Sequence, residues 1–232
     1  MAVGPKFTVV LLPGLNGTSG LFQPLIDCAP DAYDVLTITY PTHEKQSYSE
    51  LTCHVLEKLC DLTNPYILLG ESFSGPLALM VSQSSPEGLV GVVLVASFIE
   101  APNLKAGRFL PWTIGFTLAK PLYSIRSALS RPDNKGFIQA ISRELERVSP
   151  NVLADRIQSI FSVEAHTALK ECPVPIMYFR GKKDFIVPEK NLKNIVHIRP
   201  DISIAYFETQ HFLLQSMPEK AWQEIDHFIE GL

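Results

Sequence analysis

The side chains best equipped for chemistry fall in three short stretches of the sequence. The first, Gly70-Glu71-Ser72-Phe73-Ser74-Gly75, follows the apolar run 66–69 and precedes another apolar stretch, 76–84. A serine exposed on so sharp a strand-to-helix turn requires small residues two before and two after it. Gly70 and Ser74 meet that demand, although the second glycine of the usual G-x-S-x-G spacing comes one place late, at Gly75. A serine hydroxyl is a weak nucleophile at neutral pH and needs a base, itself held by a carboxylate. Asp184 follows the apolar run 174–180, and His211 follows the run 202–207. In an alternating α/β chain these positions put all three at the carboxyl ends of strands, on one rim. The order Ser72, Asp184, His211 is the one this arrangement takes. The expected chemistry is acyl transfer through Ser72, with His211 as base and Asp184 as its partner. The oxyanion that forms needs donors. The backbone N–H groups of Phe73, directly after the nucleophile, and of Leu15, in the loop Pro13-Gly14-Leu15-Asn16-Gly17, are the candidates.

Other residues compete for these roles. Glu100, after the run 89–96, is the alternative acid. His43 lies on the correct rim but precedes Ser72 in the chain, and His54, His197 and His227 are expected to be solvated or core histidines. Gly14-x-x-Gly17-x-x-Gly20 invites comparison with a dinucleotide phosphate loop. Its spacing is not G-x-G-x-x-G, however, and the next strand ends Thr39-Tyr40-Pro41 without the acid a ribose requires.

Positioning these groups takes a sheet. Six segments, 6–12, 34–40, 66–69, 89–96, 174–180 and 202–207, are near-continuous apolar runs that stop at Pro, Gly, Ser or Thr, as expected of parallel strands covered on both faces. Helical patterns at 49–60, 76–84 and 218–229 separate or follow them. The stretch 98–169 holds no convincing strand but three or four helical patterns broken by Pro111, Pro121, Pro132 and Pro150. The expected organisation is a core of 1–97 and 170–232 with a helical insertion at 98–169. With the first strand at residue 6, the base is expected to be trimmed to six strands.

Composition limits the alternatives. The 232 residues are 46% hydrophobic and 19% charged, enough for one core without staples. A formal charge of −4 argues against a nucleic-acid surface. No apolar run reaches the roughly 18 residues of a membrane span, and the run 7–12 is too short for a signal peptide, so a cytoplasmic location is expected. Cys28, Cys53, Cys60 and Cys172 lack Cys-x-x-Cys spacing and no His-Glu-x-x-His occurs; four reduced, mostly buried thiols and no metal site or other cofactor are expected.

With these residues in place the chain resembles the α/β-hydrolase superfamily, above all the compact bacterial carboxylesterases around the pimeloyl-carrier methyl-ester esterases. The resemblance rests on Leu11-Leu12-Pro13-Gly14, Gly70-Glu71-Ser72-Phe73-Ser74-Gly75, Gly181-x-x-Asp184-x-x-Val187-Pro188 and Gln210-His211. It departs where the family usually has His-Gly, here Pro13-Gly14, and Gly before the histidine, here Gln210. The resemblance implies an α/β-hydrolase fold: about six mostly parallel strands, helices on both faces, and 98–169 as a helical cap over the site. It implies hydrolysis of a small-molecule carboxylic ester. A thioesterase, an amidase or a carbon–carbon bond hydrolase would use the same residues, and a catalytically inactive binding protein of the same fold is the non-enzyme alternative. Cap residues Trp112, Phe116, Phe137 and Phe161 are candidates for an apolar acyl pocket, or for packing of the cap on its base. From 99 to 166 nine Lys/Arg stand against six Asp/Glu, a net +3 in a chain of net −4. Such a basic cap suits an acidic acyl carrier as partner. Arg143 and Arg147 share a helix face, where Glu144 and Glu146 offer local pairing as the plainer account.

Overall fold

A computed structural model describes residues 7–102 and 132–232. Its centre is a sheet of six parallel strands in the order β2-β1-β3-β4-β5-β6. The strands are β1 (Phe7–Leu12), β2 (Tyr33–Thr37), β3 (Tyr66–Glu71), β4 (Leu89–Val95), β5 (Ile176–Gly181) and β6 (Ser203–Phe207). The chain moves outward from β1 to β2, then crosses to the other side of β1 for β3. That reversal opens a crevice at the carboxyl ends of β1 and β3, where ligands bind in open α/β sheets.

The two faces of the sheet are covered by different helices. Side chains alternate along a strand, so Val10 and Leu12 of β1 enter one core and Val9 and Leu11 the other. The first core takes in α2 (Tyr48–Leu59) and α3 (Ser74–Gln83), whose Leu51, Val55, Leu77 and Val81 are buried. The second packs Leu25 of α1 (Gln23–Asp27) and Trp222, Ile225 and Phe228 of the C-terminal helix Pro218–Glu230 against Ile67, Val93, Phe179 and Phe207. Each such side chain contributes on the order of 1.5–3 kcal/mol by leaving water. Helix α2 begins with a reciprocal capping box between Ser47 and Glu50.

Between β4 and β5 the described residues form α4 (Pro132–Glu146), α5 (Pro150–Ser162) and α6 (His166–Glu171). The ends of this segment meet: Glu100 and Glu164 form an isolated antiparallel bridge, and the Ala165 N–H donates to the Ile99 carbonyl at 2.8 Å. Val148, Val152 and Leu153 form a small apolar cluster that packs on Leu15 in the loop after β1. After β5 come α7 (Glu189–Ile198), the short α8 (Leu213–Ser216) and α9, the C-terminal helix. No described helix is long and apolar enough to cross a membrane.

Three sequence-level expectations change. β2 ends at Thr37 rather than Tyr40, because Ile38 and Tyr40 turn their N–H groups to Leu11 and Gly17 in and after β1 and carry Tyr40 beneath the loop. α3 begins at Ser74, two residues before Pro76. The thiols are free but not mostly buried: only Cys172 is, whereas Cys53 and Cys60 lie exposed on and just after α2 and Cys28 is half-buried. The apolar stripe of α2 is Leu51, Val55 and Leu59, and the two cysteines fall outside it.

Candidate active site

Ser72 occupies the turn between β3 and α3 with φ +50°, a left-handed conformation that costs a non-glycine residue on the order of 1–3 kcal/mol. The surroundings impose it. The Ser72 N–H donates to the Val95 carbonyl at 2.8 Å, and Ser97 Oγ donates to the Ser72 carbonyl at 2.6 Å. A side chain on Gly70 would overlap the Ser74 backbone, and one on Gly75 would overlap Ser97, so both glycines are demanded by close approach. Ser74, in place of the second glycine, is fully buried and has its own function in the turn. Its hydroxyl donates to the Pro13 carbonyl and shares a 2.6 Å hydrogen bond with Tyr40 Oη, tying the start of α3 to the end of β1.

The three expected side chains come together. Ser72 Oγ lies 3.0 Å from His211 Nε2, and His211 Nδ1 lies 2.9 Å from Asp184 Oδ2. Asp184 is buried, and its Oδ1 accepts from the Ile186 and Val187 N–H groups at 2.8 and 3.1 Å. Arg180, also buried, stands 3.7 Å from Asp184 Oδ2 and donates to the Val187 carbonyl at 2.5 Å, fixing the loop that carries the acid. Burial pushes the Asp184 carboxyl up, but the hydrogen bond and charge of His211 and the two backbone donors bring it below the ordinary carboxylate value. A serine hydroxyl hydrogen-bonded to an imidazole that a carboxylate holds from behind can lose its proton as it attacks an electrophilic carbon.

The alternatives lie elsewhere. Glu100 accepts from Asn194 Nδ2 at 2.9 Å and neighbours His166. His43, His197 and His227 are exposed, and His54, half-buried on α2, meets the Thr39 carbonyl at 3.0 Å. Among the described residues no group of three or more His, Cys, Asp or Glu is placed to hold a metal ion.

Of the backbone donors named from the sequence, Phe73 directly follows Ser72, and Leu15 directly follows Gly14. Phe73 is buried at the start of α3, stacked on Tyr48 with centroids 4.8 Å apart, and its carbonyl accepts from Tyr48 Oη at 2.8 Å. Gly14 packs against Ser72: a Cβ there would lie 3.9 Å from Ser72 Cβ. Among the described residues neither the Phe73 nor the Leu15 N–H donates to a protein acceptor. Of the pocket candidates, Phe137 on α4 is half-buried and meets Phe212 edge-on at 5.1 Å; Phe212 in turn touches His211. Phe137, Ile141, Lys183, Phe185 and Phe212 line part of an open pocket of about 720 Å³ beside the histidine. Phe161, on α5, is half-buried. Trp112 and Phe116 lie outside the described residues.

Several site residues escaped the sequence reading. Glu71, buried beside Ser72, accepts from Gln215 Nε2 at 2.9 Å and from the Gly14 N–H. Burial raises its carboxyl above the ordinary value, against the opposing pull of Gln215, His211 and Gly14. Glu144, expected to pair at the surface, is buried: it accepts from Thr18 Oγ1 at 2.5 Å as well as from Arg147 at 3.2 Å. Arg156 is buried against the loop after β1. A signal for both was available. Glu144 falls between Ile141 and Val148, and Arg156 between Val152 and Ile160, so each is a charge inside an apolar helical stripe.

Comparison with known proteins points to one family. The chain is 23% identical over 202 residues to a pimeloyl-[acyl-carrier protein] methyl ester esterase of Neisseria meningitidis serogroup C, an alignment covering 78% of this chain and 77% of that protein. An esterase from Exiguobacterium antarcticum superposes with a TM-score of 0.83 at 15% identity, over 98% of this chain and 93% of the other. The enol-lactonase of Burkholderia xenovorans LB400 superposes with a TM-score of 0.81 at 13% identity, over 99% and 94%. At these identities the solved structures speak for the fold. The model of the alpha/beta hydrolase family matches residues 9–223, and the chain belongs to that family.

Proposed function

We propose that the protein is a carboxylesterase that works through Ser72, His211 and Asp184. The observation that carries this reading is the continuous hydrogen-bonded series from Ser72 Oγ through His211 to the buried Asp184, at 3.0 and 2.9 Å, on a serine held at positive φ. His211 Nε2 takes the Ser72 proton as Oγ bonds to the ester carbonyl carbon. The tetrahedral oxyanion is held by the N–H groups of Phe73 and Leu15. Collapse breaks the bond to the alcohol oxygen, which leaves with the proton from His211. Water, deprotonated by the same imidazole, then releases the acid and restores Ser72. Asp184 orients the ring and stabilises the imidazolium at each step.

We take the helices between β4 and β5 as a cap over this site, with Phe137 and Phe161 contributing apolar surface toward an acyl group of short to medium length. The relative in Neisseria meningitidis is named for an acyl-carrier-bound methyl ester. That name, the excess of basic residues in 99–166 and the exposure of Arg143 and Arg147 on and just after α4 support an acidic acyl carrier as the bearer of the ester.

The test of the reaction is hydrolysis of p-nitrophenyl acetate and butyrate by the wild type and by Ser72→Ala. The expected result is a loss of kcat of about four to six orders of magnitude with an unchanged circular dichroism spectrum. Ester hydrolysis by Ser72→Ala at the wild-type rate would remove the assignment.

A further inference from the structure

The glycines of Gly14-x-x-Gly17-x-x-Gly20 have a structural use unrelated to a nucleotide. Gly17 has φ +69°, and a Cβ on it would run into the Arg156 guanidinium; a Cβ on Gly20 would run into the Glu144 carboxylate. Both charged side chains arrive from helices that follow β4, and the glycines leave room for them. Arg156 on α5 is 3% exposed. Its Nη1 donates to the carbonyls of Leu15 and Asn16 at 2.9 and 2.8 Å, its Nη2 donates to the Pro41 carbonyl at 2.8 Å, and the guanidinium carbon lies 5.6 Å from the centre of the Tyr40 ring. Among the described residues no carboxylate bonds to it; the adjacent Asp155 pairs with Lys45 at 3.7 Å. Burial lowers the guanidinium to about 10.

A buried cation without a carboxylate partner is expensive to keep unless neutral acceptors converge on it. Here they converge only while the loop holds its present path. Three successive carbonyls are thereby occupied: Gly14 by the Gly17 N–H at 2.9 Å, Leu15 and Asn16 by Arg156. In a trans peptide the C=O and N–H point in opposite directions, so a fixed carbonyl fixes the N–H across the same plane. The planes on either side of Leu15 are both held in this way, and the Leu15 side chain is clamped by Val148, Val152 and Leu153. Thr18, bonded to Glu144 and to Asn16 Nδ2, secures the far end of the loop.

We propose that Arg156 is a positioning residue for the oxyanion-binding loop: it reaches from the helical segment to lock the carbonyls of Leu15 and Asn16, the fixed Asn16 plane holds the Gly17 N–H on the Gly14 carbonyl, and the Leu15 N–H across the Gly14 plane is thereby aimed at the reacting carbonyl oxygen. The proposal rests on the serine-esterase reading above. A planar fork of donors spans three carbonyls where a lysine ammonium, a point charge on a flexible stem, does not.

The experiment compares wild type, Arg156→Ala and Arg156→Lys on p-nitrophenyl butyrate, together with inhibition by an aryl trifluoromethyl ketone, whose adduct with Ser72 carries an oxyanion. For Arg156→Ala the expected result is a fall in kcat of about 10- to 100-fold with KM within about twofold. The inhibitor should weaken by the same factor as kcat/KM, and millimolar guanidinium chloride should restore much of the lost kcat in this variant but not raise it in wild type. Arg156→Lys is expected to fall between the two. A folded Arg156→Ala with wild-type kcat and inhibitor affinity overturns the proposal, as does a loss confined to KM. If Arg156→Ala fails to fold, Arg156→Lys decides by the same kcat and inhibitor readouts. Wild-type protein without Ser72-dependent hydrolysis overturns the underlying reading as well; intact wild-type activity with an unaffected Arg156→Ala overturns this inference alone.

Discussion

Asp184 is the residue at which burial and charge pairing oppose each other most directly. Desolvation pushes its carboxyl up, while His211 and two backbone donors pull it down further, so the folded value lies below the ordinary one. A carboxyl depressed on folding contributes stability above its unfolded pKa of about 3.9, and that contribution disappears as pH falls through the lower folded value. Asp184→Asn removes the charge while keeping the shape. The thermal midpoint of this variant is expected to trail wild type by several degrees at pH 6, with the gap closing as the pH approaches 3; a gap that widened toward acid would contradict the assignment. Its kcat should fall by about four orders of magnitude, since an uncharged partner no longer holds the imidazole in the required tautomer. Glu71 carries the opposite sign. Raised on folding, it is held at least cost while protonated, and its ionisation as pH rises through the folded value opposes stability. Ser72, Asp184 and His211 were legible in the sequence because each lies in the turn just beyond an apolar strand, and strand ends are local signals. Glu71 was part of the quoted motif, but its partner Gln215 lies 144 residues away, and spacing carries no record of such a contact.

At the scale of elements, the turn between β3 and α3 is joined to the end of β1 by one hydroxyl. Ser74 bonds both Pro13 and Tyr40, and β2 ends early so that Tyr40 can reach it. Ser74→Ala leaves a buried carbonyl and a buried phenol without that partner, at a cost of roughly 1–3 kcal/mol. The thermal midpoint is expected to drop by about 2–10 °C. Ser74→Gly restores the more usual G-x-S-x-G spacing and is nevertheless expected to lose as much; scanning calorimetry of the two variants checks this, and a Ser74→Gly protein more stable than wild type would contradict it. The strands and their order along the chain could be read from apolar runs and the residues that stop them. The early end of β2 could not, because residues 38–40 remain apolar and β-prone while their N–H groups are diverted to Leu11 and Gly17. Likewise Arg156 and Glu144 stand in the sequence as charges inside apolar helical stripes, but nothing local names the loop they grip, more than 120 residues earlier.

For the molecule as a whole, charge is unevenly divided: a net +3 over residues 99–166 in a chain of net −4. An acidic carrier attracted by this excess of basic residues would be steered by a field that salt screens over about 8–10 Å. Hydrolysis of a methyl ester borne on an acyl carrier protein is expected to lose several-fold in kcat/KM between 50 and 500 mM salt, and to lose comparably in Arg143→Ala/Arg147→Ala at low salt. The free methyl ester should be indifferent to both, and an equal response of the two substrates would dismiss the carrier. Ester hydrolysis by this site requires that Ser72 be a nucleophile activated by its neighbours. The most direct test is intact-mass analysis of native protein treated with a fluorophosphonate probe, followed by peptide mapping. The expected result is one adduct, on Ser72, formed far more slowly in His211→Ala and absent in Ser72→Ala. No adduct on the native wild type, or an equal adduct on Ser72→Ala, would contradict the account.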